Sequence, residues 1–252
     1  MNTRVIAHRG LSSEAPENSK VAFDKAVAGE FFGVECDIWK TKDGIYVVSH
    51  DNNMQRMYSK DWDITESDYA DVNEIPMTGG ENVQQNPPQY IVPFAVYLSI
   101  VATDADMAPI IELKMDYTTV ELREIVDLVK EAGLYQRAYF ISLHQSVLLR
   151  LKDELHFPKE RLQYVYGATT ETKEKPIDSS LVVWLTENQI SIDARYTLMT
   201  QDVVRQLHHA GLQVNVWTVN ERDVYEKMRD EYGVDYVTSN YMMRNEEEQE
   251  DK

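Results

Sequence analysis

Short apolar runs alternate with helix-patterned segments from one end of this chain to the other, and that alternation limits the fold more than any other feature. Runs at 4–7, 33–41, 109–114, 138–143, 161–166, 190–193, 213–218 and 234–238 read as strands. Between them lie helical patterns. The first opens at Pro16-Glu17-Asn18-Ser19 and carries Val21, Ala22, Ala26 and Val27 at a 3.6-residue period. Others cover 118–132, closed by Gly133, then 145–154, 179–188, 200–210, ended by Gly211, and 221–232. A strand that returns parallel to its predecessor needs a crossover, usually a helix. Eight such units in 252 residues predict an α/β chain closed into a (β/α)8 barrel, a fold of typically about 250 residues. An open doubly wound sheet is the competing architecture.

The second strand runs into the most informative stretch, GVECDIWKTKDGIYVVSHD at 33–51. Glu35 and Asp37 are two residues apart, so a strand points both to one face. Two carboxylates on one face repel unless a positive charge lies between them, and oxygen ligands suit a hard divalent cation. Lys42-Asp43-Gly44 marks a turn, and 45–49 is expected to extend the strand's end and deliver His50 and Asp51. From 51 to 107 the periodicity weakens around Gly79-Gly80 and Asn86-Pro87-Pro88, with a helix expected over 94–103. That stretch reads as an insertion or capping region within one barrel domain at 1–244. Residues 245–252 read as an acidic, disordered tail.

The formal net charge of −18 excludes nucleic acid and anionic membrane surfaces, which select basic patches. A single cysteine, Cys36, rules out an intramolecular disulfide framework. It alternates with the two carboxylates and so is expected to face the helices as a small buried hydrophobe. No apolar run nears the roughly 20 residues of a spanning helix, and MNTRVIAHRG carries no signal-peptide core. A cytoplasmic location is the default, and oligomeric state has no signature here.

Residues at the carboxyl ends of barrel strands share one mouth. There the chain sets His8 and Arg9 after the first strand, Glu35 and Asp37 on the second, His50 after its extension, and Glu112 and Lys114 on the third. Three carboxylates are enough for one divalent ion. Arg9 and Lys114 suit a phosphate, and two histidines suit proton transfer near neutrality. Together they suggest phosphodiester cleavage. The plainer alternatives are an exposed acidic pair, structural histidines, counter-ions, and for Trp217 a loop-packing core residue.

His8-Arg9-Gly10, Pro16-Glu17-Asn18-Ser19, Glu35-Cys36-Asp37, Thr41-Lys42-Asp43-Gly44, His50-Asp51, Ile111-Glu112-Leu113-Lys114 and Val216-Trp217-Thr218-Val219-Asn220 form an ordered series. It resembles the glycerophosphodiester phosphodiesterase family from residue 4 to about 240. The resemblance implies a (β/α)8 barrel with one divalent cation, magnesium or calcium and possibly manganese, on Glu35, Asp37 and Glu112. It implies catalytic His8 and His50, phosphate contacts from Arg9 and Lys114, support from Glu17, and a substrate wall at Trp217. The implied substrates are glycerophosphodiesters such as glycerophosphocholine and glycerophosphoethanolamine, cleaved to glycerol 3-phosphate and an alcohol. The insertion would cap the mouth and contact the alcohol. Three departures stand out. Met57-Tyr58 follow Arg56 where the family has threonines, Thr238-Ser239-Asn240 lacks the usual aspartate, and the insertion lacks the usual tryptophan-and-glycine run. Two further readings remain: a noncatalytic phosphate-binding barrel and a lysophospholipase D-type enzyme.

Overall fold

The computed structural model describes residues 3–243, so the acidic tail expected at 245–252 lies outside the described residues. Ten strands occur among them: β1 (Arg4–Ala7), β2 (Gly33–Lys40), β3 (Tyr46–Val48), β4 (Val92–Pro93), β5 (Ala108–Leu113), β6 (Tyr139–Ser142), β7 (Leu162–Tyr166), β8 (Ser191–Arg195), β9 (Val214–Trp217) and β10 (Tyr236–Ser239). Eight of them are parallel neighbours in the order β1, β10, β9, β8, β7, β6, β5, β2, and the β1–β2 pairing closes the ring. The barrel is therefore realised and the open sheet is not.

The strand period divides the side chains between two cores. Outward-facing residues such as Val34, Cys36, Ile38, Ile111 and Phe140 pack under the helices, where Phe140 and Phe157 meet edge to face at 4.9 Å between ring centroids. The helix Thr119–Glu131 contributes Leu122, Ile125, Val126 and Val129, and a capping box between Thr118 and Glu121 starts it. Inward-facing Ile6, Ile110, Ile141, Val165 and Tyr236, with Phe32 and Tyr139, fill the amino end of the barrel. Buried Gln163 and Asn215 join inside the barrel at 3.3 Å, and Ile141 and Val165 reach up to the cavity at the carboxyl end.

Three segments depart from the sequence expectation. Residues 45–49 do not continue the second strand: β3 folds back antiparallel, pairing Ile38 with Val48 and Lys40 with Tyr46. The turn at Gly44 (φ 92°) permits this reversal. β8 runs two residues past Asp193 to Arg195, because it pairs residue for residue with β9 as far as Trp217. The stretch at 51–107 divides in two. Met54, Met57, Tyr58, Ile64, Val72, Met77 and Ile91 build a separate small core against Val47, whereas the helix Phe94–Val101 packs into the main core as the barrel's own crossover. No helix among the described residues is long and apolar enough to cross a membrane.

Candidate active site

Two loops shape the first wall of the mouth. Arg9 adopts a left-handed backbone (φ 57°), which turns its N–H onto Glu35 Oε2 at 2.8 Å. Gly10 follows at φ 81°, where a Cβ would sit 2.6 Å from the carbonyl carbon of Ala22. The next loop gives each residue of Glu17-Asn18-Ser19 a separate task. Glu17 accepts from Arg9 at 2.9 Å and from Arg56 at 2.7 Å. Asn18, also left-handed, donates to Asp37 Oδ2 at 2.8 Å. Ser19 caps the helix Lys20–Val27 by accepting from the Ala22 N–H.

Glu35, Asp37 and Glu112 are all buried, and one carboxylate oxygen from each lies within 4.8 Å of the others. Burial, and then the charge of Asp37, pushes the Glu35 carboxyl well above its usual range. Burial likewise raises Glu112, against the pull of Lys114. At Asp37 burial acts in the same sense, but Lys114, Arg9 and His50 outweigh it and hold this carboxyl well below the ordinary value. Lys114 lies 3.1 Å from Asp37 Oδ1 and 2.9 Å from Glu112 Oε1. Asp37 Oδ1 is nevertheless buried without a properly aligned hydrogen bond. Three crowded carboxylates, two of them resisting ionisation and one with an orphaned oxygen, fit a hard divalent cation.

The two histidines are held differently. His8 Nδ1 lies 2.7 Å from Asn240 Oδ1. An amide oxygen only accepts, so Nδ1 carries the hydrogen and Nε2 keeps its lone pair. Burial and the adjacent Arg9 push His8 down to about 3. His50 is delivered by the β2–β3 hairpin: Ser49 N–H donates to Asp37 O at 3.0 Å, and Trp39 Nε1–H donates to His50 O at 3.3 Å. His50 Nδ1 lies 2.6 Å from Asp51 Oδ1, and Asp51 in turn accepts from Arg56 Nε at 2.5 Å. Hydrogen bonding from His50, and then from Arg56, holds Asp51 well below the usual carboxylate range.

One cavity of about 240 Å³ gathers part of this set, with Asp37, Asn18, Asp51 and Asn240 standing behind its wall. Both histidines, Arg9, Glu35, Glu112 and Lys114 line it, and so does Trp217, whose Nε1–H donates to Asp193 O at 3.1 Å. Glu17 stands behind Arg9. No residue from 52 to 107 lines the cavity, and that segment reaches the site through Arg56. Sequence reasoning missed four contributors. Asn18 and Asn240 orient Asp37 and His8, and both stood in motifs already singled out. Asp193 and Arg195 line the cavity from β8. They are two apart on a strand end, the same spacing that exposed Glu35 and Asp37, but the strand was expected to stop at Asp193. Burial raises the Asp193 carboxyl well above its ordinary value.

The sequence profile described as the Glycerophosphoryl diester phosphodiesterase family matches residues 8–244. A glycerophosphodiester phosphodiesterase of Caldanaerobacter subterraneus subsp. tengcongensis is 25% identical over 231 residues, covering 90% of each chain. The chain spans less than two thirds of two other curated relatives: 61% of an uncharacterized Bacillus subtilis protein and 39% of a Gallus gallus glycerophosphodiester phosphodiesterase domain-containing protein. Among solved structures, a glycerophosphodiester phosphodiesterase from Parabacteroides distasonis superposes with a TM-score of 0.77 at 25% identity, covering 95% of this chain and 93% of that one. An Oleispira antarctica phosphodiesterase in complex with the product sn-glycerol-3-phosphate gives 0.79 at 23% identity, covering 94% and 93%.

Proposed function

This chain belongs to the glycerophosphoryl diester phosphodiesterase family, and from that premise we propose that it hydrolyses glycerophosphodiesters to sn-glycerol 3-phosphate and an alcohol. One observation carries the reading: a cluster of three buried carboxylates, two of them lining the cavity, stands beside two imidazoles whose partners differ in charge. The Caldanaerobacter and Parabacteroides relatives bear the name of this activity, and the Oleispira neighbour is described with the corresponding product.

Glu35, Asp37 and Glu112 would hold a divalent cation, for which magnesium, calcium and manganese are the candidates. Such an ion would withdraw charge from a phosphate and neutralise what develops on its oxygens. The chain's own groups divide the proton work. His8, neutral with a free Nε2 lone pair, takes the proton of the attacking hydroxyl, whether of water or of the neighbouring glycerol carbon. His50 gives a proton from Nε2 to the departing alcohol oxygen. The Asp51 carboxylate at its Nδ1 compensates an imidazolium charge, as the amide beside His8 does not. Exchange with solvent then restores both rings. Arg9 and Lys114, paired to the carboxylates at the cavity, would meet the phosphate, and Glu17 fixes the Arg9 side chain. A cavity of about 240 Å³ suits a small diester better than a lipid with its acyl chain.

The test is release of sn-glycerol 3-phosphate from a panel of glycerophosphodiesters with each of the three metals. Chelator should abolish it, and His8→Ala or His50→Ala should lower kcat by roughly 10²-fold or more. Folded variants with near-normal turnover would overturn the assignment of the histidines.

A further inference from the structure

Across the barrel mouth from Glu35 and Asp37, four strands around the ring, β8 presents a second pair of polar side chains. Arg195 donates from Nε to Gly167 O at 3.2 Å, and its guanidinium lies 5.2 Å from the centroid of the Trp217 ring. Among the described residues its two terminal nitrogens have no hydrogen-bond partner, and no carboxylate pairs with it. That is unusual in a chain with 43 acidic residues against 25 basic ones. The other cations of the cavity are engaged, Arg9 with Glu17 and Asp37, and Lys114 with Asp37 and Glu112. Beside Arg195, Asp193 is 3% exposed and its Oδ1 is buried in the cavity wall with no hydrogen-bond partner. A buried polar atom facing a cavity without a partner is costly unless something that enters the cavity satisfies it.

We propose that Asp193 and Arg195 form a specificity subsite for the alcohol arm of the substrate, selecting an arm that carries hydroxyls and a second phosphate over one that ends in a quaternary ammonium. The proposal rests on the phosphodiesterase reading and names its substrate class. The scissile phosphate belongs with the carboxylates and Lys114, which leaves the β8 side for the arm beyond it. Arg195 supplies donors in a planar fork that matches phosphate oxygens. The Asp193 carboxyl meets a hydroxyl. Choline, by contrast, would meet a like charge, and the Trp217 face that would bind it by cation–π attraction is already covered by the guanidinium.

The probes are bis(glycerophospho)glycerol, which has two phosphates, and glycerophosphocholine, each assayed with wild type, Arg195→Gln and Arg195→Lys. The expected wild-type kcat/KM ratio favours the two-phosphate diester at least tenfold. Arg195→Gln should bring the ratio near one, chiefly through KM of the two-phosphate diester, and Arg195→Lys should restore part of it. A wild-type ratio at or below one, or a ratio unchanged in Arg195→Gln, overturns the subsite. Calorimetric binding of bis(glycerophospho)glycerol in EDTA reads the same subsite without turnover, and equal affinity in wild type and Arg195→Gln also overturns it. Absence of turnover with every diester and metal would instead defeat the phosphodiesterase reading, so the two failures are distinct.

Discussion

Replacing Asn240 with aspartate tests the division of labour between the two histidines. The amide oxygen lies 2.7 Å from His8 Nδ1, and His8 sits at about 3. Aspartate has the same shape and substitutes a charged acceptor for a neutral one. Charge centres roughly 4 Å apart at an effective dielectric of about 20 interact by about 4 kcal/mol, which corresponds to about three pH units. The substitution should carry His8 from about 3 to about 6 by that arithmetic. A raised value means that the proton is held at higher pH. The variant should therefore lose its base as pH falls through about 6, whereas the wild type keeps it. The assay is kcat/KM from about pH 5 to 9 for both proteins at saturating metal. A new acid limb in Asn240→Asp, with turnover at alkaline pH within a few fold of wild type, is the expected result. Both proteins contain the same carboxylate triad, so the difference between the profiles isolates the His8 partner. Superimposable profiles, or a loss independent of pH, would refute the assignment of His8 as the base.

Asp51→Asn removes the charge beside His50 and should lower kcat by roughly 10²-fold with KM little changed; a kcat near wild type would show that His50 needs no charged partner. Each of the three metals should raise the wild-type Tm, since ligand at 100 times its Kd adds about 2.7 kcal/mol to stability. Glu112→Gln should lose most of that shift by differential scanning fluorimetry, and an equal shift would remove Glu112 from the ligand set. The raised carboxyl of Glu112 also has a sign in metal-free buffer. A folded value above the unfolded 4.5 adds stability below that pH, which is lost as pH rises through the raised value. The stability of wild type relative to Glu112→Gln should therefore decline with rising pH in urea titrations, and a constant difference would contradict it. Phe140→Ala empties a fully buried site between strand and helix and should cost about 3–5 kcal/mol. A loss under about 1 kcal/mol would mean the layer repacks freely.

The barrel and the centre of its site were legible because both follow from periodicities. Strands read from apolar runs, and the two-residue spacing on a strand alone places Glu35 with Asp37, and Glu112 with Lys114, at one mouth. What escaped were facts of pairing. Residues 45–49 carry the composition of a strand after the turn signal at 42–44, but their antiparallel register with β2 is not written locally, and that register is what brings His50 beside Asp37. The end of β8 was equally hidden, since Arg195 joins the strand only by matching Trp217 across the ladder. Asn18 illustrates a third kind of gap. Its motif was noted as a helix start, yet the helix is capped by Ser19, and Asn18 uses a left-handed turn to reach Asp37.

The departures from the family pattern also resolve by position. Met57 and Tyr58 are buried in the small core of the insertion and do not line the cavity, so the exchange of threonines there changes packing. Arg56 just before them keeps its reach, joining Glu17, 39 residues earlier, to Asp51 and so tying the partner of Arg9 to the partner of His50. Asn240 is different, because it touches His8 directly: burial and the adjacent Arg9 keep that ring neutral, and an uncharged amide partner offsets them only in part. The insertion thus meets the site through one arginine, and the cavity wall opposite the carboxylates comes from β6 to β9. Exchanging residues in the insertion core should therefore alter stability while leaving the order of preferred substrates intact, whereas exchanges on β8 should reorder it. A swap of Met57 to threonine that reordered substrates would place the specificity wall on the wrong side of the barrel.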